Sequence, residues 1–276
     1  GIIGAGAMGN GIAHTFAQHN YSVLLVDINS KLLEKSIKLI EQNMDRQVKK
    51  NIISAENKKK FIKNITCKTD ISLLKKSDLV IEAVTESLNV KSDIFKKLDK
   101  LCPEHTIFAT NTSSISITKI AAQTNRPDRV IGMHFMNPVP VMKLVEVIRG
   151  YLTSDATLQK ICDISKSLNK IPIECNDYPG FVANRILMPM INEAIYCKME
   201  GVAETESIDQ IMKLGMAHPM GPLALADLIG LDVCLAILEV LYEEMGDSEY
   251  SPCPLLKKMV SAGVLGRKTG RGFYKY

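Results

Sequence analysis

The sequence predicts an α/β protein, with a Rossmann-type, mostly parallel sheet and a helical arm, followed by an all-α C-terminal domain. The chain opens with an apolar strand, a glycine-rich turn and a helical segment, over residues 2–18. Short apolar runs then alternate with helical segments up to residue 174, a pattern typical of a parallel sheet covered by helices. Beyond residue 178 only helical periodicity remains until the C-terminus.

The elements follow in order along the 276 residues. After the first helix, the continuous apolar run Val23–Val26 indicates a strand buried on both faces. Further strands are predicted at 79–83, 106–109, 130–133 and 143–148. A charged segment at about 30–64 has helical spacing, so we expect two helices that project as an arm. In the C-terminal part, helices are predicted at 181–199, 204–214 and 223–245.

A domain boundary is predicted near residues 176–180, where Pro179 and Gly180 break structure. This gives a cofactor-binding domain over 1–177 and a helical domain over 178–276. The chain opens on Gly1 instead of Met, so we expect that a few native residues are missing before it and that the first strand is short.

Composition limits the possible partners. The formal net charge of +4 is mild, so a nucleic-acid partner is not expected. The longest apolar runs fall short of the roughly 20 residues that a membrane span needs. Seven cysteines, with no C-x-x-C pair and no histidines at zinc-binding spacing, predict reduced thiols in a cytoplasmic protein without a metal site.

The glycine motif predicts a dinucleotide site. A G-x-G-x-x-G string alone is a weak signal, but here Gly4, Gly6 and Gly9 lie between a strand and a helix. Asp27 ends the second strand, 21 residues after Gly6, where an acidic residue is expected to hold the adenosine ribose. Because an aspartate repels a 2′-phosphate, we predict NAD as the cofactor. The alternative is that Asp27 only caps the next helix.

A histidine and a glutamate suggest proton-transfer chemistry. His134 follows a predicted strand, at the sheet edge where α/β proteins bind ligands, and Glu146 falls in the next strand after a proline-containing loop expected to be extended. A carboxylate beside an imidazole fixes its tautomer for general-base catalysis. From the residues alone, a core histidine is the safer interpretation. Asn111–Ser114 is likewise most simply the N-cap of a helix that begins near Ile115, although a substrate role stays open.

Several strings make the chain recognisable as a whole. It resembles the L-3-hydroxyacyl-CoA dehydrogenase family, and most closely the bacterial 3-hydroxybutyryl-CoA dehydrogenase branch. The strings that carry the resemblance are Gly4–Gly11, Asn111–Ser114, His134–Glu146, Pro179–Arg185, His218–Pro222 and Leu265–Tyr274. They appear in the order of the family and cover almost the whole chain, which makes the match specific.

The resemblance implies roles for individual residues. His134 corresponds to the base that takes the proton of the substrate 3-hydroxyl, Glu146 to its orienting partner, and Ser113 to a hydrogen-bond partner of that hydroxyl. Asn137 and Asn184 correspond to substrate-binding residues, and Asn184 also belongs to the implied catalytic set. The implied NAD-binding residues are Gly4, Gly6, Ala7, Met8, Gly9, Asp27, Glu86, Lys91 and Asn111.

The resemblance also implies partners. The substrate is an acyl-CoA, its phosphates are expected near lysines between Lys49 and Lys63, and the C-terminal domain is expected to form a homodimer. Two alternatives stay open. One is a related dehydrogenase that acts on a free β-hydroxy acid, against which the basic arm and the string Leu265–Tyr274 count. The other is a non-catalytic NAD-binding protein, against which the intact His134, Glu146, Ser113 and Asn184 count.

Overall fold

A computed structural model describes all residues, Gly1–Tyr276, and the chain divides into two compact units. The first unit is Gly1–Asp177 and the second is Tyr178–Tyr276. The first contains an eight-stranded sheet with helices, and the second is helical. The predicted fold class is therefore confirmed. No helix is both long enough and apolar enough to pass through a lipid bilayer.

The sheet of the first unit is parallel except at one pair of strands. Its strands are β1 (Ile2–Ile3), β2 (Val23–Val26), β3 (Ile65–Lys68), β4 (Leu79–Glu82), β5 (Ile107–Thr110), β6 (Val130–Phe135), β7 (Leu144–Arg149) and β8 (Ile171–Asn176). They lie in the order β3-β2-β1-β4-β5-β6-β7-β8, and only β6 and β7 pair antiparallel. The order reverses after β1, which places the carboxyl ends of β1, β4, β5 and β6 along one edge, the position of ligand sites in open α/β sheets.

Helices connect most of the strands of the first unit. They are α1 (Ala7–Gln18), α2 (Ser30–Lys49), α3 (Ala55–Lys63), α4 (Leu88–Leu101), α5 (Ile117–Ala121) and α6 (Asp155–Ser167). The predicted charged arm consists of α2 and α3. The side chain of Asn29 caps α2 by accepting hydrogen bonds from the backbone N–H groups of Lys31 and Leu32. On α1, the amide of Asn10 donates to the carbonyl and the hydroxyl of Ser36, at 2.7 and 2.8 Å, so α2 packs against α1.

The second unit contains five helices, two more than the three predicted segments. They are α7 (Ala183–Met199), α8 (Thr205–Gly215), α9 (Pro222–Ile229), α10 (Leu231–Met245) and α11 (Pro254–Ser261). The single helix predicted at 223–245 is wrong, because Gly230 separates α9 from α10 with φ at +105°. That backbone conformation is one that glycine adopts at little cost.

The C-terminal string is held by buried carboxylates of the same unit. Asp227, 1% exposed, accepts hydrogen bonds from the backbone N–H groups of Phe273 and Tyr274 at 3.0 and 2.9 Å. The Tyr274 hydroxyl donates to Asp209 at 2.9 Å. Burial, together with that carboxylate, raises the pKa of Tyr274 above its usual range. A Cβ at Gly272 would lie 1.8 Å from the Asp227 carboxylate, so the glycine here is required by packing.

Candidate active site

The glycine turn between β1 and α1 is shaped by close packing at two of its three glycines. Gly4 has φ at +98°, and a Cβ there would lie 2.5 Å from the carbonyl oxygen of Ala83. A Cβ at Gly9 would lie 1.8 Å from the carbonyl oxygen of Gly4. At Gly6, by contrast, a Cβ would meet nothing within 4 Å. The first and third glycines thus close the turn, and the second faces open space at the N-terminus of α1.

Asp27 follows β2 and holds the glycine turn from the neighbouring strand. Its Oδ2 accepts a hydrogen bond from the N–H of Ala5 at 2.8 Å, and its Oδ1 accepts one from the N–H of Asn29 at 2.9 Å. The contact with Ala5 joins residues that sequence spacing alone does not bring together, and sequence reasoning missed it. The alternative that Asp27 caps α2 is wrong, because Asn29 is the capping residue.

His134 and Glu146 face each other across the antiparallel pair. The two residues are directly opposite in the register of β6 and β7, so their side chains emerge on the same face of the sheet. His134 Nδ1 lies 2.7 Å from Glu146 Oε2, and the residues are 7% and 4% exposed. A carboxylate in this position accepts a hydrogen bond from Nδ1–H, which leaves the Nε2 lone pair available to accept a proton.

Ser113 lies on the other side of the same imidazole. Its Oγ is 3.2 Å from His134 Nε2, and the residue is half-buried. It follows β5, the strand adjacent to β6, so the sheet order brings the serine and the histidine to one edge. The arrangement of hydroxyl, imidazole and carboxylate is one that can hold a substrate oxygen and move its proton.

Glu86 builds the loop that presents Ser113. Its Oε1 accepts hydrogen bonds from the Thr112 hydroxyl at 2.5 Å, from the Ser113 N–H at 2.8 Å and from the Ser114 N–H at 3.1 Å. Burial alone would raise the pKa of Glu86, but the charge of Lys91 and these hydrogen bonds outweigh it and lower the pKa below its usual value. The carboxylate therefore stays ionised and keeps these donors, together with the Ser114 hydroxyl at 3.1 Å, in place.

Lys91 lies beneath this loop as a buried cation, 1% exposed. Its ammonium donates to both oxygens of Glu82 at 2.8 and 3.0 Å and lies 3.3 Å from Glu86 Oε2. Thr110 also donates to Glu82, at 2.7 Å. Lys91 thus pairs with both carboxylates of this cluster. No group of His, Cys, Asp and Glu residues is arranged to hold a metal ion.

Asn111 joins the ends of β5 and β6. Its Oδ1 accepts a hydrogen bond from the backbone N–H of Phe135 at 2.9 Å. The expectation that Asn111–Ser114 caps a helix beginning near Ile115 is wrong. The helix α5 begins at Ile117, and its N-cap is Ser116, whose hydroxyl accepts from the Lys119 N–H at 3.2 Å. Asn111–Ser114 forms an irregular segment, and Glu86 accepts hydrogen bonds from donors of Thr112, Ser113 and Ser114.

Asn137 and Asn184 were predicted as substrate-binding residues. Asn137 is exposed in the turn between β6 and β7, and Asn184 is 7% exposed in the first turn of α7, in the second unit. The predicted extended loop is instead a compact turn, because the Pro138 carbonyl accepts from the N–H groups of Val141 and Met142 at 2.9 and 3.0 Å. The substrate roles of Asn137 and Asn184 stay predictions.

Family models match the chain along nearly its full length. Residues 1–178 match the model described as 3-hydroxyacyl-CoA dehydrogenase, NAD binding domain. Residues 180–276 match the model described as 3-hydroxyacyl-CoA dehydrogenase, C-terminal domain. The junction between the two matches falls beside the division of the structure at Asp177 and Tyr178.

Individual proteins are similar over the same length. The 3-hydroxybutyryl-CoA dehydrogenase of Clostridioides difficile is 54% identical over 275 residues, which cover 100% of this chain and 98% of that protein. That of Bradyrhizobium diazoefficiens is 51% identical over 276 residues, which cover 100% of this chain and 94% of that protein. The crystal structure of (S)-3-hydroxybutyryl-CoA dehydrogenase from Ralstonia eutropha has a TM-score of 0.96 and 52% identity, covering 100% of this chain and 97% of that one.

Proposed function

The chain belongs to the 3-hydroxyacyl-CoA dehydrogenase family, and from this premise we propose that it interconverts (S)-3-hydroxybutyryl-CoA and acetoacetyl-CoA with NAD as the cofactor. The single observation that carries the proposal is the contact between His134 and Glu146, 2.7 Å long and placed at a sheet edge beside Ser113. A short acyl chain is supported by relatives above 50% identity that are described as 3-hydroxybutyryl-CoA dehydrogenases.

The turn between β1 and α1 fits a dinucleotide. No side chain caps the N-terminus of α1, so its first backbone amides are available to a phosphate, and the helix dipole favours that charge. The open space beside Gly6 admits a group that close packing excludes at Gly4 and Gly9. Backbone groups of Gly6, Ala7 and Met8 would hold the pyrophosphate, and Asp27 would hold the adenosine ribose. When bound, NAD accepts the hydride that leaves substrate C3, and NADH returns it.

The proton moves through His134. In the direction of oxidation, Nε2 takes the proton of the substrate 3-hydroxyl, and the electrons of the broken O–H bond form the new C=O bond. Glu146 keeps Nδ1 protonated and stabilises the imidazolium that results. In the reverse direction the imidazolium returns the proton to the oxygen. Ser113 Oγ, 3.2 Å from Nε2, is placed to hydrogen-bond the same substrate oxygen.

Other residues of the first unit are proposed to contact NAD, the substrate and the CoA phosphates. Glu86 and Lys91 are proposed to contact the cofactor in addition to holding the Ser113 loop, and Asn111 and Asn137 are proposed to line the cofactor and substrate positions. Most lysines of the arm are exposed and free to meet CoA phosphates, whereas Lys58 already pairs with Asp45 at 2.6 Å. The exposed ones are Lys49, Lys50, Lys59, Lys60 and Lys63.

We also propose that the chain works in the cytoplasm as a homodimer formed through the second unit. Support for the dimer comes from large apolar side chains exposed on α9 and α10, namely Leu228, Val233 and Tyr242, which are 49%, 41% and 45% exposed. Support for the compartment comes from the seven cysteines, all of which are free thiols.

The assay that tests the proposal compares acetoacetyl-CoA with free acetoacetate in the presence of NADH. We expect turnover of the thioester to be far faster, because the free acid lacks the CoA moiety that positions the reacting end. Faster turnover of acetoacetate would instead support a dehydrogenase of free hydroxy acids. Binding of NADH without any turnover would support a non-catalytic protein of the same fold.

The variant His134→Gln tests the proton-transfer step. We expect kcat to fall by about 10²- to 10⁴-fold, the range for the loss of a general base. NADH should still bind, which its fluorescence reports without interference because the chain has no tryptophan. The matched control is His105→Gln, since the side chain of His105 is 65% exposed and lies outside the site. Turnover of His134→Gln within a few-fold of wild type would contradict the assignment.

A further inference from the structure

Lys170 carries a charge that is buried against the protein backbone. It lies immediately before β8 and is 7% exposed. Its ammonium donates to the carbonyl oxygens of Val139 and Met142 at 2.5 and 2.7 Å. Burial lowers the pKa of Lys170. A buried ammonium whose partners are neutral carbonyls is costly to maintain, so the contact needs a reason beyond stability.

Both carbonyls belong to the turn that joins β6 to β7. The internal hydrogen bonds of this turn end on the Pro138 carbonyl, whereas the carbonyls of Val139 and Met142 are held by Lys170. Lys170 is itself fixed to the sheet, because the next residue, Ile171, donates its N–H to the Lys143 carbonyl at 2.8 Å. The lysine therefore fastens the turn to the edge of the sheet.

The same turn also contacts the helix that follows the glycine motif. Val139 is 1% exposed, and a Cβ added at Gly11 would lie 2.8 Å from the Val139 Cβ. The turn is thus held both by α1 and by the Lys170 ammonium. Movement of the turn would be transmitted to the strand ends that carry His134 and Glu146.

From these contacts we infer that Lys170 is a positioning residue for the His134–Glu146 pair, because it fixes the turn that connects their strands. The inference rests on the proposed function, since it concerns the geometry of the proposed base. Removal of the ammonium would leave the carbonyls of Val139, which is buried, and Met142, which is partly exposed, without this donor and release the turn. A displacement on the order of 1 Å at a base is sufficient to lower turnover by about 100-fold.

The test replaces Lys170 with Met and with Arg. We expect Lys170→Met to lower kcat by about 10- to 100-fold, while the dissociation constant for NADH changes by less than about threefold. Lys170→Arg keeps a charged donor and should recover most of the lost kcat. The first control is Lys166→Met, which removes an exposed charge on α6, and the second is Leu74→Ala, which removes a buried side chain far from the turn. Both controls should keep the wild-type kcat.

A spectroscopic readout separates positioning from a loss of stability. The proton between His134 Nδ1 and Glu146 should give a downfield ¹H NMR signal, which is assigned by its absence in His134→Gln. We expect this signal to shift or disappear in Lys170→Met and to be unchanged in Lys166→Met and Leu74→Ala. If Lys170→Met does not fold, kcat and the NMR signal are measured for Lys170→Gln instead.

Two results would overturn the inference. One is a folded variant without the ammonium that keeps kcat within about threefold and the NMR signal of wild type. The other is a folded Lys170→Arg that recovers neither kcat nor the signal. Failure of the proposed function is recognised separately, because wild type would then not turn over acetoacetyl-CoA, whereas the NMR signal would still report whether Lys170 orders the pair.

Discussion

Among the single residues of the site, Asp27 uses one carboxylate for two hydrogen-bonding roles. It accepts hydrogen bonds from the N–H groups of Ala5 and Asn29, and it is proposed to hold the ribose hydroxyls of the cofactor. An ionised carboxylate offers about four acceptor positions, so both sets of donors can be satisfied together. The residue proposed to select the cofactor thus also holds the turn proposed to bind it.

The variant Asp27→Asn should weaken the selectivity for NADH over NADPH. The amide keeps one acceptor oxygen but loses the charge that repels a 2′-phosphate. We expect the ratio of kcat/KM for the two cofactors to fall by about tenfold, a change of about 1.4 kcal/mol. The control is Asp93→Asn, which removes an exposed charge on α4. An unchanged ratio would place the ribose contact at another residue.

Some residues of the site follow from sequence position, and others do not. His134 and Asp27 lie at the carboxyl ends of strands, where open α/β sheets bind their ligands, so their position is predictable. The contact of Glu86 with the Ser113 loop joins residues 27 apart in the chain, and that of Lys170 with Val139 joins residues 31 apart. No periodicity records such contacts, because they depend on how connecting segments fold back over the sheet edge.

For the helices and strands, the agreement between prediction and structure depends on how clear the hydrophobic pattern of each element is. β2 is a continuous apolar run, and β4 and β6 begin with apolar runs that end before Glu82 and His134, so all three were predictable as buried strands. β3 was not, because it lies at the sheet edge and every second residue is exposed, which hides it between the charged helices. The break at Gly230 was missed because apolar residues continue on both sides of it.

Asp177 stabilises α5 from outside the helix. Its Oδ1 accepts from the Ile117 N–H at 3.0 Å, and its Oδ2 accepts from the Thr118 N–H at 2.8 Å and the Ser116 hydroxyl at 2.7 Å. A short helix such as α5 depends on these partners, since its first N–H groups have none within the helix.

We therefore expect Asp177→Ala to lower the free energy of unfolding by about 1 to 2 kcal/mol, as for the loss of a helix cap. Urea denaturation of wild type and variant measures the difference. The control Asp93→Ala should change stability by less than about 0.5 kcal/mol, because its side chain is exposed. Equal stability of Asp177→Ala and wild type would show that water replaces the carboxylate at no cost.

At the scale of the whole molecule, a buried histidine makes stability depend on pH. His14 on α1 is 1% exposed, and its ring lies near the side chain of Gln47. Burial, with a contribution from the nearby charge of Lys170, lowers the pKa of His14 from 6.5 to about 4. Above pH 6.5 the ring is neutral in both the folded and the unfolded chain, so it adds no pH dependence. As pH falls towards 4, only the unfolded chain takes up the proton, and stability is lost.

The predicted loss between pH 7 and pH 5 is about 2 kcal/mol for this residue. Comparison of urea midpoints for wild type and His14→Leu at the two pH values isolates it from the titration of other groups. The variant should lose less stability on acidification than wild type does. His105→Asn, which changes an exposed ring, should behave as wild type. The same pH dependence in His14→Leu and wild type would show that the buried ring is not responsible.

The antiparallel pairing of β6 with β7 also has a consequence for how the chain tolerates change. Side chains alternate between the two faces of a strand, so the parity of the alignment decides which residues meet. A slip by a single position would set Val145 or Val147 opposite His134 and turn the carboxylate of Glu146 into the apolar layer on the far side. An insertion or deletion between the two strands is thus tolerated only if the original alignment survives, which makes this hairpin a poor place for length variation.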